Sequence, residues 1–298
     1  MGNFSRRLTA LVLALVFCWE LLPGVALAQI STPTKTALSS QSSIQPYLDR
    51  VVENLTEFKL DNGMKFIVLQ RPQAPVVSFV TYADVGGVDE PDGKTGVAHF
   101  LEHLAFKGTD RIGTSNYAKE KRLLNNLDRV ADQIQQANAA GQKDKVARLQ
   151  AEFKKIESQA SKIVKQNEFG RIVEQSGGVG LNATTSTEAT KYFYSFPSNK
   201  LELWMSLESE RFLNPVLRRE FYKEKDVILE ERRMRVDNSP IGQMIEKFND
   251  TAFQKHPYKR PVIGYDEDIR NLTPEDVQQF FERDRKSTRL NSSHTVIS

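Results

Sequence analysis

Strand and helix signals in this chain fall in blocks, and that ordering limits the folds open to it more than any other feature. Glu57–Leu60 and Lys65–Gln70 flank Asn62-Gly63, a two-residue hairpin turn signal. Val76–Ala83 follows as an apolar, β-branched strand. Val179–Thr185 opens after Gly177-Gly178, and Lys191–Phe196 is its aromatic-rich partner. Helical patterns occupy Val97–Phe106, then Leu201–Phe212, Glu220–Val236 and Gly242–Phe253. Thr273-Pro274-Glu275-Asp276 starts a further helix, with Thr273 as its N-cap and Val277, Phe280 and Phe281 as its apolar face. Strands before helices, with an antiparallel hairpin in each half, predict an α+β fold: an antiparallel sheet with helices packed on one face.

Residues 116–166 interrupt this plan. Leu123, Leu127, Val130, Ile134 and Ala137 repeat at alternating four- and three-residue steps, as do Leu149, Phe153, Ile156, Ala160 and Ile163. Ala139-Ala140-Gly141 separates the two runs. The pattern predicts an inserted antiparallel helical hairpin with a narrow apolar seam, either a docking arm or an insertion packed on itself.

The termini have a different character. Arg6 and Arg7 precede an apolar run from Leu8 to Trp19, and Ala26-Leu27-Ala28 is a small-x-small cleavage site. Residues 1–28 therefore read as a secretory signal peptide, giving an exported, periplasmic or secreted protein. Glu20 ends the apolar run well short of the ~20 residues a span requires, so no stable anchor is expected after cleavage. The single cysteine, Cys18, lies in this segment, which excludes disulfides and thiol catalysis in the mature chain. Residues 29–50, rich in Ser, Thr, Gln and Pro, read as a flexible lead-in, and 51–285 as the folded domain. After Asp284 periodicity and turn logic are lost, and 286–298 read as a non-native-looking tail on a truncated chain.

The formal charge is +3, of which Arg6, Arg7 and Glu20 contribute +1 and Lys286 and Arg289 +2. The domain between is formally neutral, and a nucleic-acid partner is not expected.

The chemistry concentrates in His99-Phe100-Leu101-Glu102-His103. On a helix, His99 and His103 lie one turn apart on one face, able to hold a single Zn²⁺. Glu102 stands beside them, free to take a proton from water activated by the metal. This is the H-x-x-E-H order of the inverted zincins. Phe100, Leu101, Leu104 and Ala105 would bury the helix, and a buried histidine pair without a ligand is costly. A third protein ligand is needed. His256 sits in a loop, and carboxylates are the better source. Glu224 and Glu231 are two turns apart on one face of the 220–236 helix, so that one could ligate and the other orient a histidine ring. Glu230 is rotated ~100° from Glu231.

From about Phe58 to Asp284 these residues resemble the pitrilysin/insulinase zinc peptidases, which include mitochondrial processing peptidase. His99–His103 with Leu104-Ala105-Phe106-Lys107-Gly108-Thr109 is similar to the family's active-site helix and its exit. Glu224–Glu231 resembles the helix with the third ligand, and His256-Pro257-Tyr258 and Val262-Ile263-Gly264 also fit. The resemblance implies one zinc ion on His99, His103 and Glu231, with Glu224 behind them and Glu102 as general base. It implies a peptide bound as an added strand along Asn182, Ala183, Thr184 and Thr185. The expected activity is a zinc-dependent endopeptidase acting on peptides or small unfolded proteins; the alternative is a non-catalytic peptide-holding or partner subunit of a two-subunit peptidase. The spacing from His103 to Glu231 exceeds the family's usual interval, and the 116–166 hairpin accounts for the excess. Family members continue into a second half or a partner subunit, so this fragment alone is expected to have little or no activity.

Overall fold

Asn62 and Gly63 sit where the chain first reverses. Gly63 adopts φ +92°, and the Asn62 side chain accepts from the Met64 amide at 3.0 Å, an Asx-type closure that sets the hairpin register. The computed structural model describes residues 44–286 and 294–297, with side chains placed up to Arg283. The leader assigned to 1–28 lies outside these residues, as does the lead-in up to residue 43. A short helix, α1 (Gln45–Glu53), begins inside the stretch expected to be a flexible lead-in. The hairpin strands are β1 (Leu55–Lys59) and β2 (Lys65–Leu69), paired antiparallel, with Phe58 stacked on Phe66 at 5.0 Å.

Next come β3 (Val76–Ala83), α2 (Val97–Leu104), the long helices α3 (Tyr117–Ala139) and α4 (Lys143–Ser161), and α5 (Glu168–Gln175). They are followed by β4 (Val179–Thr185), β5 (Thr190–Pro197), α6 (Leu201–Leu213), α7 (Phe221–Arg232) and α8 (Pro240–Ala252). The chain closes with α9 (Asp266–Asn271), α10 (Pro274–Lys286) and β6 (His294–Ile297). The sheet order is β1-β2-β6-β3-β5-β4. Each pairing is antiparallel except β2 with β6, which is parallel. β6 enters between β2 and β3 from a segment whose sequence showed no periodicity. Its signal is the β-branched run Thr295-Val296-Ile297, too short to alternate.

The helical hairpin forms as its 4-3 spacing predicts, turning at Gly141 with φ +67°. Asn116 caps α3 by accepting from the Lys119 amide. Leu124, Leu127 and Ala160 bury the seam together with Val216, and Phe153 meets Tyr222 edge-on at 4.9 Å. The hairpin therefore packs both on itself and on the segment leading into α7.

Two cores flank α2. Phe79, Tyr194 and Phe196 of the sheet pack against Phe169 and Val173 of α5 and Trp204 and Leu207 of α6. Phe79 stacks on Trp204 at 4.2 Å. The second core buries the apolar side of α2. Phe100 and Leu104 pack on Phe221 and Ile228 of α7, on Ile269 and Leu272, and on Val277, Phe280 and Phe281 of α10. Burying a side chain such as Phe100 contributes roughly 1.5–3 kcal/mol, and this contact fixes α2 against α7. The α10 start is a reciprocal cap: Thr273 Oγ1 accepts from the Asp276 amide, and Asp276 accepts from the Thr273 amide at 2.8 Å.

One helical expectation is corrected. The pattern at 220–236 is not a single regular α-helix. Glu220 has φ +55°, so α7 begins only at Phe221. Beyond Arg232 the helix widens into a π-turn, Arg233–Asp237.

Candidate metal centre

The start of α2 is built for a close approach. Gly96 has φ +86°, and a Cβ there would lie 2.7 Å from the Ile263 carbonyl oxygen, so only glycine fits. No side chain at that position caps the helix. Instead buried Glu90 reaches in from the preceding loop and accepts from the Gly96 and Ala98 amides, each at 3.0 Å. Burial pushes Glu90 up to about 8, against the opposing pull of those two amides and of Arg260.

One turn on, His99 and His103 present their rings side by side, 4.7 Å apart and nearly perpendicular. Glu231 comes in from α7. Its Oε2 lies 3.7 Å from His99 Nε2 and 3.6 Å from His103 Nε2. The three candidate ligand atoms lie within 4.8 Å of one another. A tetrahedral zinc with ~2.0–2.1 Å bonds sets its ligands roughly 3.4 Å apart, so small side-chain adjustments close this set around one ion.

The protonation states suit the task. Burial, with the charges of His103 and Arg235 adding to it, lowers His99 to about 3, which keeps the ring neutral and able to ligate. Its Nδ1 is buried and without a hydrogen-bond partner. His103 Nδ1 lies 3.2 Å from Glu224 Oε2. With the proton on Nδ1, that contact leaves the Nε2 lone pair facing Glu231. Burial alone would raise Glu224, but hydrogen bonds from His103 and from Lys107, 2.6 Å away, hold it below the usual carboxylate range.

Glu102 stands apart from the trio. Its carboxylate accepts a short hydrogen bond from Thr185 Oγ1 at the end of β4. Burial raises its pKa, with the nearby Glu231 carboxylate adding to the effect while the Thr185 bond and His103 oppose it. A carboxylate so placed is a better proton acceptor than an exposed one.

The cleft over these groups has a volume of about 450 Å³, the scale of a bound side chain or two, and its floor and walls include Glu102, Thr185, Arg235, Val262 and Ile263. Asn182, Ala183 and Thr184 line it as well. They belong to β4, which among the described residues pairs with β5 alone and forms the sheet edge, so the outer side of that strand offers its amides and carbonyls to an added chain.

Of the residues singled out in the sequence, His99, His103 and Glu231 come together, with Glu224 directly behind and Glu102 and the edge strand across the cleft. Two alternatives for the third ligand fall away. Glu230 is exposed and paired with Arg233. His256 accepts from the Tyr258 amide and packs among Phe253 and Tyr258. Sequence reasoning missed the parts played by Thr185, Lys107, Glu90 and Arg235. Arg235 alone carried a local signal, lying four residues beyond Glu231 and paired with it at 2.8 Å.

Fold and side-chain set together are those of a zinc-peptidase type of α+β domain. The chain belongs to the insulinase family (peptidase family M16), whose family model matches residues 65–145 and 152–266. It is 30% identical over 253 residues to the zinc protease PqqE of Helicobacter pylori, covering 84% of this chain and 44% of that protein. It is 26% identical to a probable mitochondrial-processing peptidase subunit beta of Schizosaccharomyces pombe, covering 78% of this chain and 39% of that one. Among solved structures, the crystal structure of a protease from Helicobacter pylori superimposes with a TM-score of 0.60 at 27% identity, covering 82% of this chain and 45% of that one. The chain thus spans less than half the length of these relatives. Among the described residues, no helix is long and apolar enough to cross a membrane.

Proposed function

We propose that this chain is the zinc-binding part of an exported endopeptidase that hydrolyses peptides or small unfolded proteins. The observation that carries the proposal is the convergence of His99 Nε2, His103 Nε2 and Glu231 Oε2 in a cleft bordered by a free sheet edge. One zinc ion held by these three residues would lower the pKa of a water and polarise a peptide carbonyl. Glu224 and Lys107 fix the His103 ring. Glu102 takes the proton from the attacking water and returns it to the departing amine, with Thr185 holding its carboxylate in place. Asn182–Thr185 align the peptide through backbone hydrogen bonds, which recognise any sequence that can extend.

The partner in this reading is the remainder of a longer chain or a second subunit, in keeping with the share of its relatives that the chain covers. Export rests on the leader read in residues 1–28. The reading is tested by the zinc-to-protein ratio after dialysis, measured by elemental mass spectrometry on folded protein. A ratio near one is expected, falling towards zero in His103→Ala. A ratio near zero in folded wild-type protein overturns it and favours a peptide-holding subunit without catalysis.

A further inference from the structure

Glu231 divides its two oxygens between different partners. Oε2 faces the histidine pair, while Oε1 forms an ion pair with Arg235 Nη1 at 2.8 Å. Arg235 sits in the π-turn after α7, one turn beyond Glu231. Its side chain is 70% exposed, and it lines the same cleft as His99, Glu102 and the edge-strand residues Asn182–Thr185. The other lining residues are the histidines, two carboxylates, small polar side chains and the apolar Val262 and Ile263. Arg235 is therefore the one permanent cation there among the described residues. A dication held by the trio would offset the charges of Glu231 and Glu102, leaving the guanidinium as surplus positive charge at the mouth.

From these observations we propose that Arg235 is a specificity-determining residue that selects peptides with an acidic side chain beside the scissile bond. The inference rests on the zinc-peptidase reading and deepens it. A guanidinium offers five N–H donors in a planar fork. One is engaged by Glu231, and those directed into the cleft match a second carboxylate. Glu231 is a single carboxylate wide, so the guanidinium lies within one side chain of the reacting position. The group it meets belongs to a residue flanking the cleaved bond. A basic side chain at the same place meets repulsion.

The test uses the whole 298-residue chain carrying Glu102→Gln to block turnover, loaded with zinc. Fluorescent peptides amidated at the C-terminus carry a single Glu walked along the sequence, each paired with the Gln peptide. Binding is read by anisotropy, and zinc content is measured on every sample. At one position the Glu peptide should bind about fivefold or more tightly than its Gln twin. Arg235→Gln should bring that ratio to about one, and Arg235→Glu should favour a Lys peptide at the same position. A merely structural clamp on Glu231 would change zinc affinity while leaving the Glu-to-Gln ratio untouched. Equal binding of each pair, no binding of either, or a ratio that survives Arg235→Gln, all at a zinc ratio near one, overturns the role of Arg235 alone. A zinc ratio near zero removes the zinc reading and this inference with it.

Discussion

Glu224 reaches His103 from the side opposite Glu231, its Oε2 3.2 Å from the ring Nδ1 while Glu231 stands 3.6 Å from Nε2. The ring is thereby held between two carboxylates of one helix. The outer one also accepts from Lys107 at 2.6 Å, which keeps it ionised. Removing it frees the ring to rotate and to change tautomer. Glu224→Ala is expected to weaken zinc binding by roughly 10- to 100-fold. Chelator competition at pH 7.5 measures this, and zinc affinity equal to wild type would show that the ring needs no such support.

Glu102 should separate metal binding from turnover. It lies outside the candidate ligand trio and is held by Thr185. Glu102→Gln preserves shape and removes the proton acceptor. Zinc content should stay near one per chain, while any peptide hydrolysis falls by roughly 10²- to 10⁴-fold. Hydrolysis persisting at the wild-type rate in a zinc-loaded variant would remove Glu102 from the mechanism. Thr185→Val should produce a smaller loss of turnover at equal zinc content, because it withdraws only the hydrogen bond that orients the base.

What could be read from the sequence was whatever depends on neighbours along the chain. The 116–166 hairpin was legible because a 4-3 apolar repeat over two long runs specifies a helical pair without help from the rest of the fold. The Asn62-Gly63 turn and the His99–His103 helix are equally local. The short helices α5 and α9, with eight and six residues, carry too few periodic positions to register. The break at Glu220 and the widening after Arg232 have no Gly or Pro beside them to announce them. The same holds within the site. Thr185 meets Glu102 across 83 residues of chain, and Glu90 reaches α2 through a loop whose path the sequence does not reveal. The candidate ligand trio needed the family's register to choose Glu231 over Glu224, since spacing alone put both on one face.

The buried His99 makes the metal-free protein acid-sensitive. Its folded pKa is lowered to about 3, whereas an unfolded histidine titrates near 6.5. Between those values the unfolded chain binds a proton that the folded chain refuses, so stability falls as pH drops below about 6.5. The loss reaches roughly 2 kcal/mol at pH 5 relative to pH 7.5. Thermal melts of zinc-free protein at the two pH values, compared with His99→Asn, isolate the effect. The variant should show a smaller pH difference than wild type. An equal difference in both would assign the acid sensitivity to other groups.

The helical hairpin is tied to the domain by a charge pair with no route to solvent. Arg219, 1% exposed, donates to both oxygens of Glu120, at 2.7 and 3.0 Å, and Glu120 is fully buried. The remaining guanidinium donors go to the carbonyls of Lys107, Thr109 and Ile112 at 2.7–2.8 Å. Arg219 thus joins the first turn of α3 to the loop that leaves α2, the loop that also carries Lys107. Glu120→Ala strands a buried guanidinium and should destabilise the domain by roughly 3–5 kcal/mol in urea unfolding. Replacing both partners, as in Glu120→Leu with Arg219→Met, should recover much of that loss, because the unpaired charge, not the missing attraction, is the main cost. A single Glu120→Ala variant as stable as wild type would mean that water reaches the pair and the hairpin is only loosely seated on α7.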